Sequence, residues 1–299
     1  MFAATILASM MWMISDRQEF WTADFHSNAT QMHFVHEDGK FDAKKPKTSD
    51  LKGKRVLILF HGFNNDKESV LSTYFTIKKN IDAASSSAKK PVYDEVIGYL
   101  WPGCDSRLEY FEAKENVEEI AKRTLQLISL VASEAGQVDI MAHSMGNYLF
   151  LEAMKNSKNT GLVTNYFSLG AAVDNESIQK GEVYYSSIKN CKEVYVAYSE
   201  EDGVLEYLYT LAELDKALGG SGIEDISELP SHVQLVDCSE IVDSHSAYFE
   251  SPQVYQFIQK RVLGVPPFPE NAKRVKLLED SEVIVLPVTS ASTESAKAS

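Results

Sequence analysis

Val138-Asp139-Ile140-Met141-Ala142 runs as an apolar strand into His143-Ser144-Met145-Gly146-Asn147, where a serine between small residues opens a helix-forming segment. A strand-serine-helix turn of this kind, a nucleophile elbow, gives the serine a strained backbone and stands its hydroxyl clear of the strand end. Bulk two residues before or after the serine would collide with the neighbouring elements. Ala142 and Gly146 meet both requirements, with alanine in place of the more common first glycine. A second match, Tyr166-Phe167-Ser168-Leu169-Gly170, fails on context, because Tyr166 is too large and Ala171-Ala172-Val173 continues an apolar strand instead of starting a helix. Taken alone, Ser144 also reads as a cap for the helix beginning near Met145.

A serine hydroxyl is protonated at neutral pH, so nucleophilic chemistry needs a base and a group to orient that base. Where the serine sits on an elbow, the acid follows it in the chain and the histidine comes last. Glu193 to Tyr198 reads as a strand ending in Ser199-Glu200-Glu201-Asp202-Gly203. Asp202, short and beside a glycine, is the expected acid; Asp174, after the preceding strand, is the alternative. Val233 to Cys238 is followed by His245, the expected base, with Tyr248 and Phe249 to pack its loop. His232 precedes that strand and falls on the wrong edge. Leu57-Ile58-Leu59-Phe60 runs into His61-Gly62-Phe63-Asn64-Asn65, a strand ending in a His-Gly turn roughly 80 residues before the elbow. The N–H groups of Phe63 and Met145 are the expected donors to a tetrahedral oxyanion, the second at the positive end of its helix. His61, Gly62 and Trp101 are expected at the substrate.

These loops need a framework, and the chain supplies an alternation of strands and helices. Strand-like runs occur at 55–60, 92–101, 138–142, 162–171, 193–198 and 233–237, uninterrupted in their apolar character and so suited to burial on both faces. Helical periodicity is clearest from Leu108 to Ala135; further helices are expected near Asp66, Met145, Asn175 and Gly203, with a last one from Pro252 to Leu263. The fold class is therefore α/β, a mostly parallel central sheet with helices on both faces. Residues 1–50 read as strands extending the sheet, Met10 to Ser15 pairing with Met32 to Val35 and a turn following at Glu37-Asp38-Gly39-Lys40. Residues 51–263 read as the chemistry-bearing domain, 203–232 being a small cap. Residues 264–299 read as an extension, a hairpin of 274–278 with 282–288 around Glu279-Asp280-Ser281 and then a disordered tail from Thr289.

Composition narrows the partners. The 299 residues carry 43 Asp and Glu against 29 Lys and Arg, a net charge of −14 with no basic run, which argues against nucleic acid and anionic membrane surfaces. Cys104, Cys191 and Cys238 lie far apart without zinc spacing and read as reduced thiols in or near the core. No metal is expected. The apolar stretch from Met1 to Ile14 is shorter than the roughly 20 residues of a spanning helix and lacks a basic start, so no transmembrane segment is expected and a cytoplasmic setting is favoured over secretion.

The combination of His61-Gly62-Phe63-Asn64-Asn65, Trp101-Pro102-Gly103, Ala142-His143-Ser144-Met145-Gly146-Asn147 and Ser244-His245-Ser246-Ala247-Tyr248-Phe249 resembles the α/β-hydrolase superfamily. Within it the chain is similar to a bacterial and fungal group of largely uncharacterised hydrolases. The resemblance implies a cofactor-free serine hydrolase, esterase- or lipase-like, and covers about residues 50 to 263. The expected substrate is a small-molecule carboxylic ester of modest chain length, held in an apolar pocket by Phe63, Trp101, Met145 and the 205–209 segment. An acyltransferase or peptidase would use the same residues on another acceptor or bond, and a catalytically silent binding module would keep the fold without the chemistry.

Overall fold

The structure, a computed structural model, describes residues 10–23, 26–106, 109–264, 273–279 and 283–286. A ten-stranded sheet forms the middle layer: β1 (Met10–Arg17), β2 (His26–His36), β3 (Arg55–Phe60), β4 (Glu95–Leu100), β5 (Gln137–His143), β6 (Val163–Leu169), β7 (Cys191–Tyr198), β8 (Val233–Asp237), β9 (Arg274–Leu277) and β10 (Val283–Val285). Their spatial order is β10-β9-β8-β7-β6-β5-β3-β4-β1-β2. All neighbours from β1 to β9 pair in parallel, and the antiparallel strands β2 and β10 close the two edges. The expected pairing near the amino terminus is present, with Met11 opposite Val35 and Ile14 opposite Met32.

The central strands read as continuous apolar runs because both faces are covered. In β3, Val56, Ile58 and Phe60 enter one core with Ile120, Ile128, Leu149 and Phe150 of α2 (Tyr110–Glu134) and α3 (Met145–Lys155). Leu57 and Leu59 enter the opposite core with Tyr74, Phe75, Phe257 and Ile258 of α1 (Lys67–Ala88) and a carboxyl-terminal helix (Pro252–Val262). Each such buried aliphatic side chain contributes about 1.5–3 kcal/mol relative to exposure. The molecule is thus an α/β fold, a mostly parallel sheet between helical layers. Tyr74 reaches the sheet because β4 carries Gly98 beneath it, where an added Cβ would lie 2.5 Å from the Tyr74 ring.

One local expectation differs from the structure, and a second is met with a wider helical pitch. No helix starts at Asn175; residues 174–184 form turns, stabilised by bonds such as Tyr184 N to Ser177 O, before the short helix α4 (Tyr185–Lys189). After Gly203 the chain takes a π-helical turn over Val204–Tyr209 that passes into α5 (Thr210–Glu213), followed by α6 (Leu218–Ser221). The readings of Met1 to Ser9, of Leu108, of the Asp280-Ser281 turn and of the tail from Thr289 lie outside the described residues. Among the described residues no helix is long and apolar enough to cross a membrane. All three cysteines are buried and free.

Parallel strands put their carboxyl ends on one edge. The order reverses between β3, which has β4 on one side, and β5 on the other, so the loops after β3 and β5 open the crevice where ligands bind in open α/β sheets.

Candidate active site

Ser144 is the first residue after β5. Its φ of 53° and ψ of −127° place a non-glycine residue in the left-handed half of the backbone map, where Cβ meets the backbone and only a well-packed surrounding holds the chain. That surrounding is visible. Ser144 N–H donates to Leu169 O at 3.2 Å, and its carbonyl accepts from Asn147 N–H at 3.0 Å and Ala172 N–H at 3.3 Å. The Asn147 side-chain amide donates to both Ser144 O and Leu169 O, and Tyr166 Oη donates to Asn147 Oδ1 at 2.7 Å. Gly146 is required by space: a Cβ there would lie 2.5 Å from His61 O and 2.8 Å from Phe60 O. The decoy Ser168 is buried within β6.

Asp202 ends the loop after β7, fully buried. Its Oδ1 accepts from the amides of Val204 and Leu205, each at 3.2 Å, which fixes the carboxylate plane. Its Oδ2 accepts from His245 Nδ1 at 2.7 Å. The His245 side chain keeps 16% of its exposure, so the ring is oriented from behind by a sealed carboxylate and open in front. In the neutral ring this hydrogen bond selects the tautomer with the proton on Nδ1, whose Nε2 is an acceptor. Asp174, the alternative acid, instead accepts from Tyr209 Oη at 2.7 Å. Tyr248 and Phe249 are buried beneath the His245 loop, as their sequence position suggests.

His143 is a further participant that the sequence did not mark. Its Nε2 donates to the His245 carbonyl at 2.7 Å, and its ring lies 4.5 Å from the His245 ring. Burial, then the neighbouring His245, push its pKa well below the usual histidine value, so it stays neutral.

The turn after β3 is tied down from several sides. His61 N–H donates to Tyr74 Oη at 3.0 Å, and that hydroxyl sits 2.6 Å from Tyr99 O and 3.0 Å from Leu59 O. His61 Nδ1 donates to Gly62 O at 2.7 Å, and the Asn65 amide donates to Gly62 O and Phe63 O. Arg17, fully buried at the end of β1, donates to Trp101 O, to Asn65 O and to His61 Nε2. Only an arginine's planar fork supplies donors in that many directions. The sequence offered a single clue, a cation closing a strand that opens on the apolar run Met10 to Ile14. Gly62 lets the turn approach the elbow, since a Cβ there would lie 2.8 Å from Ser144 Cβ. Neither Phe63 N–H nor Met145 N–H donates to another group among the described residues.

These residues meet at one cavity of about 890 Å³, lined among others by Ser144, His245, His143, His61, Gly62, Phe63 and Met145. Ser144 and His245 both face it, with no hydrogen bond joining them among the described residues. Trp101 departs from expectation. It is fully buried, stacks on His61 at 5.4 Å and donates Nε1–H to His61 O at 2.8 Å, so it supports the turn from below and does not line the cavity. Among the described residues no group of three or more His, Cys, Asp or Glu is gathered as metal ligands would be.

Residues 41–261, more than half of the chain, match the model of the family described as alpha/beta hydrolase of unknown function (DUF900). The chain belongs to this family. A search of the curated proteins finds no match. Solved structures similar to this DUF900 member include a hydrolase of the alpha/beta superfamily from Xanthomonas campestris pv. campestris, 10% identical, covering 71% of this chain and 99% of that one with a TM-score of 0.39. A second is the 2,6-dihydroxy-pseudo-oxynicotine hydrolase, 12% identical, covering 78% and 64% with a TM-score of 0.40. A third is the phospholipase PlaB from Legionella pneumophila, solved with thio-NAD, 12% identical, covering 62% and 38% with a TM-score of 0.31.

Proposed function

We propose that this DUF900 hydrolase cleaves a carboxylic ester through an acyl-Ser144 intermediate, with His245 as general base and acid and Asp202 as its orienting carboxylate. The observation that carries the reading is the 2.7 Å bond from His245 Nδ1 to the sealed Asp202 carboxylate, beside a serine held at positive φ over the same cavity. Ser144 Oγ rests near Gly62, and a side-chain rotation, fast on the timescale of turnover, turns its proton toward the imidazole.

In the first half-reaction Oγ attacks the ester carbonyl carbon while Nε2 takes the hydroxyl proton. The carbonyl oxygen becomes an oxyanion facing the Phe63 and Met145 amides, two donors with no competing partner; one such donor is worth about 10²–10³ in rate. The intermediate collapses as its bond to the alcohol oxygen breaks and that oxygen takes the proton from Nε2. In the second half water attacks the acyl carbon, Nε2 takes its proton, and the proton returns to Oγ as the carboxylic acid leaves. The buried carboxylate holds the imidazole in the accepting tautomer and stabilises the imidazolium that forms twice per turnover.

Labelling with a fluorophosphonate probe tests the proposal. The wild-type protein labels at Ser144 and Ser144→Ala does not; folded wild-type protein that never labels would overturn the reading and leave a binding module.

A further inference from the structure

The cavity has two walls of different chemistry. One is aromatic and aliphatic: Phe63, Tyr110, Phe111, Leu205, Tyr209 and Ala212, carried by the turn after β3, the start of α2 and the 204–213 segment. Tyr110 sits edge-on to Phe63 at 5.7 Å, and its hydroxyl donates to Glu213 at 2.8 Å, where the Lys114 ammonium also binds at 2.9 Å. The Tyr209 hydroxyl is held by Asp174. The polar ends of this wall are thereby occupied, and what remains for a ligand is carbon surface.

The other wall carries uncharged polar side chains beside the ring of Phe249. Asn64, Ser72, Thr73 and Ser246 line it, from the turn after β3, the first two turns of α1 and the residue next to His245. None of these four side chains has a hydrogen-bond partner among the described residues. α1 is joined to the His245 loop by Asn80 Nδ2 donating to Phe249 O at 2.8 Å, so the hydroxyls of the helix and of Ser246 belong to one side. Among the described residues no Asp, Glu, Lys or Arg lines the cavity. A charged substrate group would lose water there without gaining a counter-charge, which is costly.

The proposed chemistry orients a substrate between these walls. The departing alcohol takes its proton from His245 and therefore lies on the side of Ser246 and α1. The acyl chain extends the other way, past Phe63 toward Tyr110 and Leu205. We infer that the substrate is an uncharged ester joining an apolar acyl chain to a hydroxyl-bearing alcohol, of the monoacylglycerol kind. The inference rests on the serine-hydrolase reading above and adds the substrate class to it.

The test compares kcat/KM for 1-octanoylglycerol, methyl octanoate and octanoylcholine in the wild-type protein, in Ser72→Ala/Thr73→Val and in Ala212→Trp, each variant checked for folding by circular dichroism. The glycerol ester is expected to lead the choline ester by at least about 30-fold, and the double variant to cut the glycerol-to-methyl ratio by about fivefold or more, the value of one hydrogen bond of about 1 kcal/mol. Ala212→Trp, which fills the apolar wall, should lower kcat/KM for all three octanoyl esters about tenfold or more, and unchanged octanoyl turnover would overturn the placing of the acyl chain. Equal use of the glycerol and choline esters, or a glycerol-to-methyl ratio unmoved in the double variant, would overturn the inference. If Ser144 still labels with fluorophosphonate in that case, the substrate class alone has failed; if it does not label, the underlying reading has.

Discussion

Arg17 Nη2 lies 3.2 Å from His61 Nε2, joining the end of an edge-side strand to the turn that presents Phe63 to the cavity. Because a guanidinium can only donate, His61 must accept at Nε2 and carry its proton on Nδ1, which then holds Gly62 O. Burial first, and the Arg17 charge second, keep that ring neutral by pushing its pKa well below the usual value. A residue remote in sequence thus fixes both the tautomer of His61 and the course of the turn that follows it.

Arg17→Met should therefore act on stability and on turnover together. Removing the guanidinium leaves Trp101 O and Asn65 O without one of their buried donors, and a loss of about 2–4 kcal/mol is expected in urea unfolding. If the Phe63 amide is set by this network, kcat falls with little change in KM, by about tenfold or more. Unchanged kcat in a destabilised but folded variant would make Arg17 purely structural.

The two carboxylates near the carboxyl edge make opposite forecasts. Asp202→Asn removes the group that sets the His245 tautomer, and kcat should drop by about 10³–10⁴-fold, with fluorophosphonate labelling slowed in parallel. Asp174→Asn touches only Tyr209 and should cost less than about tenfold. Steady-state kinetics with an octanoyl ester decides between them, and the reverse ranking would reassign the acid.

Gly146→Ala tests the close approach of α3 to β3. The new methyl would press on His61 O and Phe60 O, and since backbone cannot rotate away, overpacking of about 1–3 kcal/mol is expected, together with displacement of the His61-Gly62-Phe63 turn. Thermal denaturation reads the first effect and the rate of Ser144 labelling the second.

The acid limb of stability should carry the signature of two buried neutral histidines. For His61 and His143 the folded-state pKa lies below the unfolded value near 6.5, so the unfolded chain binds more protons in that interval. Their stability contribution is full above the unfolded pKa and declines as pH falls below about 6.5, with a slope of up to about 1.4 kcal/mol per pH unit for each ring. Urea unfolding between pH 7 and pH 5 should show this slope, and His143→Asn should reduce it. An identical slope in the variant would show that His143 titrates normally.

The sequence by itself determined the layer order and the positions of the chemistry-bearing loops. Unbroken apolar runs such as Val56 to Phe60 can be buried on both faces only in a sheet covered by helices, and the small residues around Ser144 allow a sharp turn wherever that strand ends. That Asp202 and His245 share one edge was legible because parallel strands deliver successive loops there. Tertiary structure decided what pattern cannot carry. Asp202 and Asp174 follow adjacent strands, so sequence could rank them but not exclude either, and the packed structure joins the first to His245 and the second to Tyr209. Trp101 reads as a pocket residue until the stacking on His61 sinks it into the core. Arg17 and His143 act through hydrogen bonds to backbone carbonyls 84 and 102 residues away, and such partners have no side-chain identity to leave a trace in sequence.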